Sequence, residues 1–311
     1  MLCQVCDKEA VISSANGTFC KEHFLNNFEE RVLKTIAKYN LIKDGEKVIV
    51  ANSGGKDSLS LLYIMNKFFG GSNNILSVTI DEGIEGYRDK TLDIMKFYCD
   101  QWGVKYKIYS YKDFASKSMD ELVKIKGGIP CSYCGVLRRY LINKAALDNG
   151  ADKVATAHNL DDEAESVLMN LIQNDDGRLL RTGANVGFIK DKGFVPRVKP
   201  FIFVSEKETM LYSLLRSINA IHSECPYARF GIRNSVSQIV KELESLYMGS
   251  KSNIVESALS IADNFKGNLK DKTLNRCSIC GAPSSKSVCE ACMIKLSLAG
   301  MANTYQQSFL R

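Results

Sequence analysis

The chain has 311 residues, 45% apolar and 24% charged, which fits one large globular domain with small modules attached. Its net charge of +6, from 41 basic and 35 acidic side chains, permits a nucleic-acid partner without requiring one. No apolar run of membrane-spanning length occurs, and MLCQVCDKEAV has neither the basic nor the apolar part of a secretion signal, so a cytoplasmic protein with reduced cysteines and no membrane partner is expected.

The chain opens on Cys3-x₂-Cys6, thirteen residues, then Cys20-x₂-His23. Paired ligands on two short knuckles suit a tetrahedral zinc ion. Three cysteines at this spacing turn His23 from a packing residue into a fourth ligand. Strands and helices then alternate. EKVIVAN reads as a buried strand and SLSLLYIMNKFF as a helix; ILSVTID is followed by a helix over 88–102, and VKYKIYS by a helix over 136–149. ADKVATAH precedes a further helix, DDEAESVLMNLIQN. Short β-rich apolar runs with helices between them predict an α/β fold, a Rossmann-like parallel sheet with helices on both faces. The extended FVPRVKPF leads to helices near 205–220 and 234–247, and KSNIVESALSIADNF gives a last one. Cys99, alone on the 88–102 helix, is assigned to packing.

The first of these strands ends in Ser53-Gly54-Gly55-Lys56-Asp57-Ser58. Open α/β sheets bind ligands at the carboxyl ends of their strands. Two glycines let the backbone turn tightly and approach a ligand closely. A helix beginning near Asp57 or Ser58 would aim free N–H groups at an anion, with Ser53, Ser58 and Lys56 beside it. Asp57 next to a phosphate implies Mg²⁺ between them. The stretch is not a Walker A loop, because Asp57 follows Lys56 where that motif needs Ser or Thr. A Gly-Gly turn with an Asp helix cap is the plain alternative.

Cys131 and Cys134 stand just before the 136–149 helix, and Cys225 precedes a proline in SECPYAR. A Cys-Pro pair recurs at iron–sulfur ligands, and three thiolates without a fourth would leave one iron of a [4Fe–4S] cluster open. A redox disulfide, or a zinc site completed by His222, remains the alternative. Arg138, Arg139, Arg178, Arg181, Lys190, Lys192, Arg197, Lys199, Arg229 and Arg233 punctuate the second half. As a set, with Phe230 to stack a base, they suit RNA phosphates. Near the end, Cys277-x₂-Cys280, eight residues and Cys289-x₂-Cys292 form a second zinc pattern.

SGGKDS resembles the pyrophosphate-binding loop of the N-type ATP pyrophosphatases, the PP-loop superfamily. IDEGIEGYRDKTL and TAHNLDDEAESVLMNL resemble later motifs of one branch. The cysteine trio in GGIPCSYCGVLRRYL and SECPYAR, with two terminal zinc patterns, is similar to the TtuA-type tRNA 2-thiolation enzymes. The resemblance implies three parts: a zinc module over 1–28, the ATP pyrophosphatase domain with its iron–sulfur site over 29–270, and a second zinc module over 271–311. It also implies an adenine pocket lined by Ala51, Ile80 and Ala157, with Asp162 positioning ATP or Mg²⁺. The implied activity is ATP-dependent 2-thiolation of tRNA uridine 34 or 54. The uracil O2 would be adenylated, with Arg138 and the loop N–H groups stabilising phosphate charge. Sulfur carried on the open iron would then attack C2. The sulfur donor would be a ubiquitin-like thiocarboxylate protein or sulfide, and relatives are often homodimers. Some relatives carry lysine where Arg138 stands; an arginine cannot act as a neutral base. An ATP-dependent ligase using ammonia would leave the cysteine trio unexplained, and a non-catalytic RNA-binding zinc protein would leave the phosphate loop unexplained.

Overall fold

The computed structural model describes residues 1–71, 74–186, 191–221, 225–228, 232–265 and 274–298. Lys190, His222, Arg229, Phe230 and the expected boundary at 270 lie outside the described residues. An antiparallel pair, β1 (Ile12–Ser14) and β2 (Gly17–Phe19), opens the fold, with Gly17 at φ +122° allowing the turn. It leads into α1 (Lys21–Lys38), a helix not expected from the sequence. Phe24, Leu25, Phe28, Val32 and Ile36 form its buried stripe at helical spacing. The expected module boundary at residue 28 falls inside this continuous helix, and Phe28 is fully buried in the central core.

The alternating region follows the expected order. β3 (Lys47–Ala51), α2 (Lys56–Phe69), β4 (Asn74–Asp81), α3 (Arg88–Gln101) and β5 (Tyr106–Ser110) come first. Then come α4 (Tyr111–Ala115), α5 (Met119–Lys126), α6 (Pro130–Asp148), β6 (Lys153–Ala155), α7 (Leu160–Ile172) and α8 (Asp176–Leu179). The short strands β7 (Asn185–Val186) and β8 (Arg197–Val198) precede α9 (Glu206–Leu215), α10 (Arg233–Leu246) and α11 (Ser250–Phe265). The chain closes on β9 (Asn275–Arg276), β10 (Pro283–Ser284) and α12 (Glu290–Leu298).

Six strands form the main sheet in the order β5-β4-β3-β6-β8-β7. All neighbours are parallel except β7, which runs antiparallel at the edge. β3 shows why both faces are covered. Side chains alternate across a strand, so Val48 and Val50 point into a core shared with α1, α2 and α9, while Ile49 points into one shared with α6 and the C-terminal module. The chain leaves β3 toward β4 on one side and reaches β6 on the other. That reversal makes a crevice at the carboxyl ends of β3 and β6.

Two expected boundaries shift. α2 begins at Lys56 with Gly55 as its N-cap, not at Asp57 or Ser58. Gly54, at φ +81°, turns the chain early enough for the helix to start there. α6 begins at Pro130, whose fixed φ suits a first helical position, so Cys131 and Cys134 lie within its first turns rather than before it.

Candidate functional site

The phosphate loop is built from below by Asn52 and Arg88, both buried. Asn52 Oδ1 accepts from Gly54 N at 2.9 Å and from Ser58 Oγ at 3.0 Å, and Thr79 Oγ1 donates to Asn52 O at 2.7 Å. Arg88 Nη1 donates to Ser53 O at 2.8 Å. A Cβ on Gly54 would lie 2.2 Å from Thr91 O, so only glycine fits. No side chain caps α2, which leaves its first N–H groups facing the loop for an anion. Ser53 Oγ lies 3.1 Å from Ser58 Oγ beside them.

Lys56 Nζ sits 3.0 Å from both Asp57 Oδ2 and Glu206 Oε1. Burial pushes its pKa down, but these carboxylates outweigh it and hold the ammonium above its usual range. Thr209 Oγ1 donates to Asp57 Oδ1, tying α2 to α9. Ala51 and Ala157, at the ends of β3 and beyond β6, are half-buried, whereas Ile80 is packed among core side chains near the end of β4.

Asp162 occupies the third helical position of a capping box. Its carboxylate accepts from Asn159 N at 3.1 Å while Asn159 Oδ1 accepts from Asp162 N at 3.0 Å. Arg233 pairs with Asp162 at 2.8 Å and with Glu165 at 2.8 Å. Burial raises the Asp162 carboxyl to about 6; Arg233 and the Asn159 N–H oppose the rise, and Asp57 and Glu165 add to it. Asp57 is near enough to raise the Asp162 pKa, and carboxylates at neighbouring strand ends are ligands of the kind Mg²⁺ takes.

Beside this crevice lies a cavity of roughly 910 Å³. Cys131, Cys134 and Cys225 all line it, together with Arg138 and Arg233. Tyr111 Oη approaches Cys134 Sγ at 3.3 Å, Arg138 Nη2 at 3.5 Å, and Cys131 Sγ donates to Tyr227 O at 3.5 Å. Burial raises the Cys134 and Cys225 thiols, and the charge of Arg138 opposes the rise at both. Arg138 is the residue expected to help stabilise phosphate charge. The structure holds it between Glu82, 2.9 Å away, and Cys134. Glu82 is buried and also pairs with Arg88 at 2.9 Å. His158 on the cavity wall meets Thr156 Oγ1 through Nδ1 at 2.9 Å. The enclosing cavity wall and the cations Lys199, Arg233 and Arg197 lower its pKa, although the side chain stays open to solvent.

The terminal ligand groups assemble as expected. Cys3, Cys6, Cys20 and His23 converge, as do Cys277, Cys280, Cys289 and Cys292, each set within 4.8 Å. Cys6 and Cys20 sulfurs are 3.8 Å apart, and Cys280 and Cys289 sulfurs 3.7 Å. A tetrahedron with Zn–S bonds of about 2.3 Å separates its sulfurs by about 3.8 Å, so both sets could hold an ion of that size. Cys131, Cys134 and Cys225 are not among the sets that converge to within 4.8 Å. A cubane cluster binds each thiolate to a different iron and needs the wider separation. None of the eleven cysteines is bridged to another in this structure.

Glu82, Arg88, Thr209, Glu206, His158 and Tyr227 join the site without having been expected from the sequence. Glu82, Arg88 and His158 lie within the motifs quoted above, and an acid at the end of a buried strand was the available signal. Thr209, Glu206 and Tyr227 carried none.

Residues 24–208 match the PP-loop domain family. The chain belongs to that family, in its tRNA 2-thiolation branch. This PP-loop protein is 37% identical to the tRNA-5-methyluridine(54) 2-sulfurtransferase of Pyrococcus horikoshii, over 94% of this chain and 93% of the relative. It is 36% identical to cytoplasmic tRNA 2-thiolation protein 1 of Saccharomyces cerevisiae strain S288c, over 94% and 85%. In structure it resembles the U34-tRNA thiolase NcsA of Methanococcus maripaludis with its [4Fe–4S] cluster. The TM-score is 0.83 and the identity 32%, covering 96% of each chain.

Proposed function

We propose that the chain is a tRNA-uridine 2-sulfurtransferase that adenylates the uracil O2 and exchanges the adenylated oxygen for sulfur. Its relatives' activities support this reading. One observation supports it most: the cavity lined by the three thiolates adjoins the phosphate-loop crevice through Arg233 and Asp162. Asp162 responds to Asp57 of the loop and pairs with Arg233, and Arg233 lines the cysteine cavity.

In the first step the uracil O2 bonds to the α-phosphorus and the bond to pyrophosphate breaks. The free N–H groups of α2, the Ser53 hydroxyl and Lys56 receive the pyrophosphate charge. Mg²⁺ held by Asp57, with Asp162 beside it, would supply neutralising charge at the phosphates. Ala51 and Ala157 would border the adenine, and Ile80 backs them. In the second step sulfur bonds to C2, and AMP departs with the former O2. A [4Fe–4S] cluster on Cys131, Cys134 and Cys225 would supply an open iron position for that sulfur. Arg138 is held charged: burial lowers its pKa, but Glu82 and Cys134 more than offset this, so it balances thiolate charge and takes no proton. Zinc at the two terminal groups would hold the modules over 1–28 and 271–311 against the 29–270 domain.

The test is anaerobic reaction of the purified chain with tRNA, ATP and either sulfide or a thiocarboxylated ubiquitin-like protein. Nucleoside mass spectrometry should find 2-thiouridine, matched by AMP and pyrophosphate, and nuclease fragments should place it at 34 or 54. Cys225→Ala should bind ATP but leave the tRNA unmodified. Full thiolation by iron-free protein would overturn the reading.

A further inference from the structure

We propose that Arg139 and Arg197, with Arg181 beside them, form a seat for the RNA backbone phosphates flanking the uridine to be thiolated. The inference rests on the RNA substrate proposed above and assigns its grip to particular side chains.

Consecutive side chains on a helix diverge by about 100°. Arg138 and Arg139 of α6 therefore take different roles. Arg138 turns to Glu82 and Cys134. Arg139 folds back along its own helix over Gly135, where a Cβ would lie 3.3 Å from Nη1. Glycine directly after Cys134 thus brings the second guanidinium close to the cysteine turn without closing the cavity.

Charge counting separates the arginines of the cavity. Among the described residues, Arg138, Arg139, Arg181, Arg197 and Arg233 line it. Arg138 and Arg233 are paired with Glu82, Asp162 and Glu165. Arg139, Arg181 and Arg197 have no carboxylate partner among the described residues. The one acid on the described lining, Glu290, is 2.5 Å from Lys286. Burial lowers the pKa of Arg139, and Arg178 and Arg138 lower it further; Arg197 is lowered by burial and by Arg139. Guanidinium groups that crowd one cavity wall without a carboxylate between them repel one another. An incoming anion relieves that repulsion and is held by charge-assisted hydrogen bonds.

The seat is fixed in place. Asn143 of α6 donates to Gly193 O at 2.8 Å and accepts from Val195 N at 3.0 Å, which ties the segment bearing Arg197 to the helix bearing Arg139. Arg276 pairs with Asp191 at 3.0 Å, and Gly193 lies so close to Pro283 that a Cβ would sit 2.4 Å from it. The C-terminal module therefore clamps the wall carrying Arg197. A preorganised pair of guanidinium groups loses little entropy on binding. The ligand is RNA rather than ATP. The triphosphate already has the α2 N-terminus, whereas a uridine brought to the cysteines carries its own phosphates into this cavity.

The test uses anaerobically purified holoprotein, with Arg139→Gln, Arg197→Gln and the double variant. Unmodified tRNA is titrated across a salt series. Each single variant should weaken binding several-fold and reduce the slope of log affinity against log salt by about 0.7 to 0.9 for each phosphate no longer neutralised. Iron and zinc contents and pyrophosphate affinity should stay at wild-type values. Lys144→Gln, which removes an ammonium paired with Asp148 outside the cavity lining, should leave the slope unchanged. Wild-type slope and affinity in the double variant would overturn the seat. So would a loss confined to pyrophosphate binding, which would assign the arginines to the nucleotide. Failure of the wild-type protein to bind tRNA would overturn the RNA reading itself.

Discussion

Gly54 and Gly55 are adjacent yet have different tasks. Gly54 adopts φ +81° and packs against Thr91 O, so Gly54→Ala meets both backbone strain and a backbone clash. It should lower stability by roughly 1–3 kcal/mol, read by thermal melting, and abolish ATP binding. Gly55 has an extended conformation, and its Cβ would meet only Ser53 Oγ at 3.4 Å. Gly55→Ala should fold normally but weaken ATP binding by about tenfold or more, because the methyl group stands where the phosphates approach. Asp162 gives a pH signature. Its folded pKa is raised, from 3.8 to about 6, so the apo protein binds a proton that the unfolded chain has released. The resulting stabilisation is complete below 3.8 and is lost as pH rises through about 6. Urea midpoints of apo wild type should fall over that interval, and Asp162→Asn should remove the fall. The loop glycines could be read from the sequence because their requirement is local. The pairing of Asp162 with Arg233 could not, because it joins two helices.

At the scale of elements, α1 depends on a junction no periodicity reveals. Its Glu29 is buried and accepts from Tyr212 Oη at 2.7 Å and Arg216 Nη2 at 2.6 Å, both from the α9 region, and from Lys67 Nζ of α2 at 2.7 Å. Burial pushes the carboxyl up, but Lys67, Tyr212 and Arg216 hold it below its usual value. Its stabilisation is therefore present above 4.5 and fades as pH falls through the lowered folded value. Glu29→Ala would strand these donors and should cost about 3–5 kcal/mol in urea unfolding, without changing iron content. The strands β3 and β4 were legible as continuous apolar runs, as expected for a sheet buried on both faces. α1 was not legible because its stripe follows directly on a cysteine knuckle. The early start of α6 was hidden because cysteines and glycine dilute its apolar signal.

At the scale of the molecule, the two terminal modules brace opposite cores. The N-terminal one continues into α1 and the core containing Phe28 and Tyr212. The C-terminal one places Cys277, Cys289 and Ile294 in the core containing Leu137 and Leu141 of α6. Cys6→Ser should release one zinc and raise hydrogen exchange in α1 and α9. Cys280→Ser should release the other and raise exchange in α6, and it alone should weaken tRNA binding because the cavity wall loses its clamp. Mass-resolved exchange with metal analysis checks both. The sequence by itself determined the alternating sheet, the phosphate loop and the two four-ligand knuckles, since each is written in neighbouring residues whose chemistry is fixed by spacing. Only the tertiary structure decided that Arg138 lies between Glu82 and Cys134, that Glu206 and Thr209 close on Lys56 and Asp57, and which cavity arginines lack a carboxylate partner among the described residues. Those outcomes depend on distances between segments far apart in the chain, and burial and neighbouring charge exist only once the sheet has brought the segments together.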